Sequence, residues 1–216
     1  KEYRRQRQMC IRDRPIDRYT FMINAVSDGY GGLEHSHSTA LICSKSDLPV
    51  GDDRHIDDNY LRFLGLCSHE YFHLWNVKRL KPETFSPYDL TRENYTELLW
   101  AFEGITSYYD DLMLCRAGLI DAHRYLNLLA KTITTVKKSR GHAKQTLAES
   151  SYYAWTKFYK QDESAINTIV SYYSKGSLAA LSLDLHLRTK TNGRISLDTV
   201  MRAVSYTHLT LPTILL

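Results

Sequence analysis

The sequence predicts an α+β fold, with strands gathered near the N-terminus and a mainly helical remainder. Three observations carry this reading. Residues 18–26 (RYTFMINAV) and 33–43 (LEHSHSTALIC) tend to alternate apolar and polar side chains, as half-buried strands do. From about residue 57 the apolar spacing lengthens, and Leu61, Leu64, Cys67, Tyr71 and Trp75 fall on one face of a helix. Strand patterns come first and helix patterns follow, which is the order of an α+β protein rather than of repeated βαβ units.

Taken in order, the strand at 18–26 is followed by DGYGG (28–32), a glycine turn. The second strand, 33–43, leads into the polar loop SKSDLPVGDDRH (44–55). A helix is expected over 57–78, then a proline-containing connection, RLKPETFSPYDL (79–90). TRENYTELLWAFEGITSYYDDLMLCRAG (91–118) reads as one long helix with Thr91 as N-cap. Further helices are expected over 121–137, 144–160, 164–188 and 196–204.

The chain has 216 residues, 43% hydrophobic and 24% charged, which suits one globular domain or part of a larger one. Sixteen tyrosines suit a cleft that needs apolar bodies with polar tips. No apolar run reaches the length of a membrane span, so no membrane partner is expected. Residues 1–14 hold six Lys/Arg against two Asp/Glu, which accounts for the whole net charge of +4. The body is neutral, which argues against a nucleic-acid partner. RQMCIRDR and SYTHLTLPT, near the two ends, resemble translated sequencing-adapter read-through. Residues 1–14 and 205–216 are therefore set apart as non-native, and 15–204 is read as the functional domain. Cys10 falls in the first segment; Cys43, Cys67 and Cys115 show no C-x-x-C spacing. They read as buried reduced thiols, which favours a cytoplasmic setting over a disulfide framework.

The chemistry gathers in GLCSHEYFHLWNVKRLKP (65–82). On a helix, His69 and His73 lie one turn apart on one face and can offer imidazole nitrogens to one metal ion. Glu70, one step round, stands beside that ion, placed to take a proton from water there. A core helix whose histidines hydrogen-bond to backbone is the competing explanation. Zinc needs a third protein ligand. Glu103 sits among Leu98, Leu99, Trp100, Phe102 and Ile105, where an ionised carboxylate is costly without a partner. Glu93, Glu97, Asp110 and Asp111 compete. Glu97 has an ordinary polar setting, and the Asp pair reads as a helix-face feature or as support for the ligands.

CSHEYFHLWNVKRLKP, LLWAFEGITSYYDDL and YYSKGSLAALSLDL, in that order, resemble the glycyl aminopeptidase family. The resemblance runs from about Pro15 to Ala203. It implies a thermolysin-like gluzincin zinc metallopeptidase with one zinc ion, held by His69, His73 and Glu103, and Glu70 as general base. YGGLEHSHST (30–39) resembles the glycine-rich strand of related aminopeptidases, whose glutamate reads the free amine of a peptide; Glu34 occupies that place. Gly31 and Gly32 would let a substrate backbone approach the strand edge. Tyr173, in SYYSKGSLAAL, matches the tyrosine that supports the oxyanion in related enzymes. Lys175 and Gly176 are then expected to shape the turn into the next helix. His35 and His37 form a strand H-x-H pair, a rival metal site with no third ligand in view; a polar cleft-lining role suits them better. AESSYYAWTKFYKQDE (148–163) is a channel lining or a packed aromatic helix.

The resemblance implies peptide or protein substrates with a free N-terminus, and release of N-terminal Gly or Ala. An endopeptidase that ignores Glu34, or a non-catalytic peptide-binding module, are the other readings. Full-length family members usually end in a PDZ domain and carry an upstream β-domain. Without such partners the sheet is expected to expose an edge and the chain to fold poorly alone.

Overall fold

A computed structural model describes residues 16–49 and 55–214, so the basic segment 1–14 lies outside the described residues. Strands β1 (Thr20–Val26), β2 (Tyr30–Glu34) and β3 (Ser38–Ser44) form a three-stranded sheet in the order β1-β3-β2. β1 runs parallel to β3, and β2 runs antiparallel to it, with Gly32 opposite Leu41 and Glu34 opposite Thr39. The stretch 33–43 is thus two strands rather than one, folded back at 35–37 and closed by His35 N–H donating to Ser38 O at 2.8 Å. Period-two alternation continues across such a reversal, so the pattern could not reveal it. Gly31 and Gly32, read as turn residues, lie within β2.

The inner face of β3 buries Leu41 and Cys43 against Phe63 and Leu66 of α1 (Asp58–Phe72). Asp57 caps α1 by accepting from Tyr60 N–H at 2.7 Å. The helix ends at Phe72, six residues short of the expected 78. Leu74, Trp75, Val77 and Leu80 are all buried, so their spacing imitates a helix, yet the chain there is irregular. Val77 has φ 148, a backbone region rare for a β-branched residue, and no helix continues through it.

The long helix expected over 91–118 is also shorter. The amide and hydroxyl of Thr91 donate to Asp89 Oδ1 at 3.0 and 2.6 Å, a local turn in place of a helix cap. Helical structure begins with a π turn at Trp100–Gly104 and runs into α2 (Ile105–Ala117), which ends at Gly118 in the left-handed conformation. Next comes α3 (Ala122–Lys138), close to the expected 121–137. The helix expected over 144–160 is divided into α4 (Leu147–Tyr152) and a second π turn, Ala154–Phe158.

That expected over 164–188 is divided into α5 (Ala165–Thr168) and α6 (Tyr172–Lys190). The second break has an evident cause. Val170 N–H donates to Gln145 Oε1 at 2.9 Å and Val170 O accepts from Ser150 Oγ at 2.6 Å, which holds the chain extended before Ser171 caps α6. α7 (Leu197–Ile214) starts where expected and continues beyond residue 204.

The main core joins Phe72, Tyr108, Tyr109, Met113, Ala180, Leu197 and Met201 from α1, α2, α6 and α7. Lys175 and Gly176 lie inside α6, not in a turn before it. A Cβ on Gly104 would stand 2.6 Å from Gly176 Cα, so the two glycines let α6 touch the π turn backbone to backbone. That contact brings the first turn of α6, with Tyr173, close to Glu103.

Candidate metal centre

The last turn of α1 presents His69, and the residue that caps the helix is His73; their ring centroids are 4.7 Å apart. The Nε2 atoms of both rings lie 3.2 Å from one oxygen of Glu103, Oε2. The opposite nitrogens are held from outside. His69 Nδ1 is 3.3 Å from Asp110 Oδ2, and His73 Nδ1 is 2.9 Å from the carbonyl of Asn76. A ring whose Nδ1–H donates outward keeps Nε2 for a metal ion, which is how histidine ligands are normally oriented. His69, His73 and Glu103 form a group whose ligand atoms lie within 4.8 Å of one another. The donor set, two imidazoles and a carboxylate, fits zinc.

Without an ion, the three side chains shift one another's proton affinity. Burial alone would lower the His69 pKa, but the hydrogen bonds to Asp110 and Glu103 outweigh it and lift the pKa to about 10. Burial would raise that of Glu103, but hydrogen bonds from His69 and His73 hold it at about 2.

The π turn sets the position of Glu103, and Asn76 fixes the π turn. Asn76 Nδ2 lies 3.2 Å from Ala101 O, 2.9 Å from Phe102 O and 3.2 Å from Thr106 Oγ1. One buried amide thus accepts from the His73 ring through its main chain and holds the ligand-bearing turn through its side chain. The sequence reading passed over Asn76; its only signal was an amide within the apolar run LWNVKRL. Asp110, read there as helix-face or supporting, does support His69.

Glu70 is 4% exposed, and its Oε2 has no hydrogen-bond partner among the described residues. Burial raises its pKa, and the charges of Glu34 and Glu103 add to this while His69 and His73 oppose it. A carboxylate kept in reserve beside a metal-type cluster suits a general base. A Cβ on Gly32 would collide with the Glu70 carboxylate. Gly32 therefore makes room for Glu70. A Cβ on Gly31 would meet only an ordinary contact with Ile42 at 3.7 Å.

Glu34, at the end of β2, places its carboxylate within 4.8 Å of ligand atoms of Glu70 and His73. Its Oε1 lies 3.1 Å from Lys78 Nζ, an ion pair the sequence reading did not foresee. Tyr173 has its ring centroid 6.1 Å from that of His69 and its hydroxyl 3.1 Å from that of Tyr159. Burial and the Glu103 charge push its pKa far above the usual tyrosine value, so it stays a hydrogen-bond donor. His35 and His37 are exposed between β2 and β3 and belong to neither group of metal-type ligands among the described residues. A cleft of about 970 Å³ opens beside Glu103 and Tyr173, walled by Tyr88, Tyr95, Tyr152 and Trp155. Part of the segment 148–163 therefore does line a channel.

Residues 62–179 match the family model of the M61 glycyl aminopeptidase. The match takes in more than half of the chain, and the chain belongs to this family. It is also similar to a solved structure, an aminopeptidase N family protein from Idiomarina loihiensis, with 51% identity and a TM-score of 0.88. The similarity covers 90% of this chain and 33% of that one, so the chain spans about a third of the length of that protein. No curated protein matches the chain. Among the described residues no helix is long and apolar enough to cross a membrane.

Proposed function

We propose that the chain carries the catalytic centre of a zinc aminopeptidase with a thermolysin-like catalytic domain. One observation carries the reading: His69 and His73 turn their Nε2 atoms to Glu103 while Glu70 is buried beside them with an unpartnered oxygen. His69, His73 and Glu103 would hold the ion. Zinc, when bound, supplies a Lewis acid that polarises a carbonyl and acidifies water.

The residues of the chain do the rest. Glu70 takes the proton of the attacking water, with its raised affinity suited to holding it, and passes it to the leaving amine. Tyr173 O–H donates to the oxygen that gains negative charge, a contribution of roughly 3 kcal/mol in comparable sites. Asp110 and Asn76 keep the two imidazoles from turning. Glu34 receives the N-terminal ammonium of the peptide, which limits cleavage to one residue at a time. The aromatic cleft takes further residues of the peptide. Release of N-terminal Gly or Ala comes from the family resemblance.

A second reading, an endopeptidase, is favoured by the Lys78–Glu34 pair, because it neutralises the carboxylate that would read the amine. Zinc content and hydrolysis of free and N-acetylated Ala- and Gly-peptides separate the two, measured on the chain and on Glu103→Ala. Stoichiometric zinc, lost in the variant, with cleavage of free-amine peptides only, is the expected result. Cleavage of both peptide kinds would establish the endopeptidase, and a well-folded chain that takes up no zinc would end the metallopeptidase reading.

A further inference from the structure

The carboxylates of Glu34 and Glu70 have oxygens within 4.8 Å of each other, and Glu103 lies just beyond, against His73. Neighbouring carboxylates repel when both are ionised, and a nearby cation relieves this. Lys78 supplies that cation. Its Nζ lies 3.1 Å from Glu34 Oε1, and the two side chains are 23% and 18% exposed. The main chain of Lys78 is anchored, since its N–H donates to His73 O at 3.0 Å, directly behind the metal-type cluster. Only its flexible four-carbon stem is free to move. A primary ammonium thus already sits on the carboxylate assigned to a substrate's primary ammonium.

Resting on the aminopeptidase reading of Glu34, we infer that Lys78 is the resident occupant of the amine subsite and that a substrate's N-terminal ammonium displaces it. The exchange swaps one ammonium for another, so the Glu34–Glu70 pair faces one cation both before and after binding. A peptide with a blocked N-terminus brings no cation and leaves Lys78 in place. Lys78 is a specificity-determining residue in this scheme: it weakens the binding of every free amine and leaves neutral termini unaffected.

The test is calorimetric binding of L-alaninamide and N-acetyl-L-alaninamide to the zinc-loaded chain, which requires no turnover. Lys78→Met is expected to bind L-alaninamide roughly threefold to tenfold more tightly than wild type, because the tethered competitor is gone. Its affinity for the acetylated compound should not change. Lys78→Gln, a neutral variant that keeps hydrogen-bonding capacity, should behave alike, and Lys78→Arg should stay near wild type. In a Glu34→Gln background, Lys78→Met should have no further effect, the coupling expected of two groups in direct contact. Unchanged or weaker binding of L-alaninamide to both neutral Lys78 variants would overturn the inference and make Lys78 a support for Glu34. If Glu34→Gln leaves the advantage of the free amine over the acetylated compound intact, the aminopeptidase reading of Glu34 falls instead.

Discussion

At the junction of α1, the π turn and α6, polar side chains are buried and tied to partners: His73 is 2% exposed and Asn76 3%. On the three-stranded sheet bordering it, Phe21, Met22, Ile23 and Leu33 are 39–60% exposed. The first region is over-determined. Each histidine is fixed by a second contact, Asn76 holds the turn that carries Glu103, and a glycine pair locks the two helical segments that meet there. The second region contributes Glu34 and the space at Gly32, yet much of its apolar surface is open. A large exposed apolar face marks a contact surface more often than free solvent-facing sheet. The ligand geometry therefore belongs to the helices, while the strand that would meet the substrate is held mainly by α1 and β3.

The largest expected effect falls where the two regions touch. Gly32→Ala would drive the Glu70 carboxylate from its place. Peptide hydrolysis should drop by about 100-fold, since misplacing a reacting group by about 1 Å costs that much. Zinc content, measured alongside, should hold. If Gly32→Ala kept full activity, the sheet would have no part in placing Glu70 for the proposed chemistry.

Within the helical region, Asn76→Ala removes the amide that holds Ala101, Phe102 and Thr106. Urea unfolding should show a loss of about 2–3 kcal/mol. A loss below about 0.5 kcal/mol would show that the π turn stands without it. Asp110→Asn leaves the fold intact but weakens the hold on the His69 ring. Zinc affinity, from competition with a chelator, should fall by at least about tenfold.

The metal-free chain should show a defined pH profile. His69 goes from 6.5 to about 10 on folding, so its contribution is complete below pH 6.5 and is lost as pH rises through 10. Glu103 goes from 4.5 to about 2, so its contribution is present above pH 4.5 and is lost as pH falls through 2. From these two groups the melting temperature should be highest between pH 4.5 and 6.5 and should decline toward pH 10. A flat melting temperature from pH 6.5 to 10 would contradict the His69–Asp110–Glu103 linkage.

The smallest effect is expected on the open sheet. Met22→Lys, at a site 48% exposed, should change unfolding free energy by less than about 0.5 kcal/mol while reducing self-association in light scattering. A larger loss would mean that β1 is packed more firmly than its exposure suggests.

Much of the site could be read before the fold was known. His69 and Glu70 lie in the last turn of a helix that His73 caps in helical conformation, and spacing along a helix fixes which side chains are neighbours. Glu103 stood out as a carboxylate in an apolar turn. Glu34 and Tyr173 came through resemblance and do lie near the cluster. Other features had no local signature. The apolar run Leu74–Leu80 satisfies burial outside a helix, so period alone extended α1 too far. The π turn and the break before Ser171 depend on hydrogen bonds made by distant residues, and the reversal at 35–37 leaves the two-residue alternation unbroken.

What the sequence by itself determined is the inventory of side chains: an α+β chain with a histidine pair, a glutamate between them and a carboxylate in an apolar turn. These follow from side-chain type and from periodicity along one element, which are local properties. The tertiary structure decided the convergence of both Nε2 atoms on Glu103, the clamp made by Asn76, the space Gly32 leaves for Glu70 and the pairing of Lys78 with Glu34. Each of these joins residues from different elements. Packing sets such distances, and no spacing within a single element encodes them.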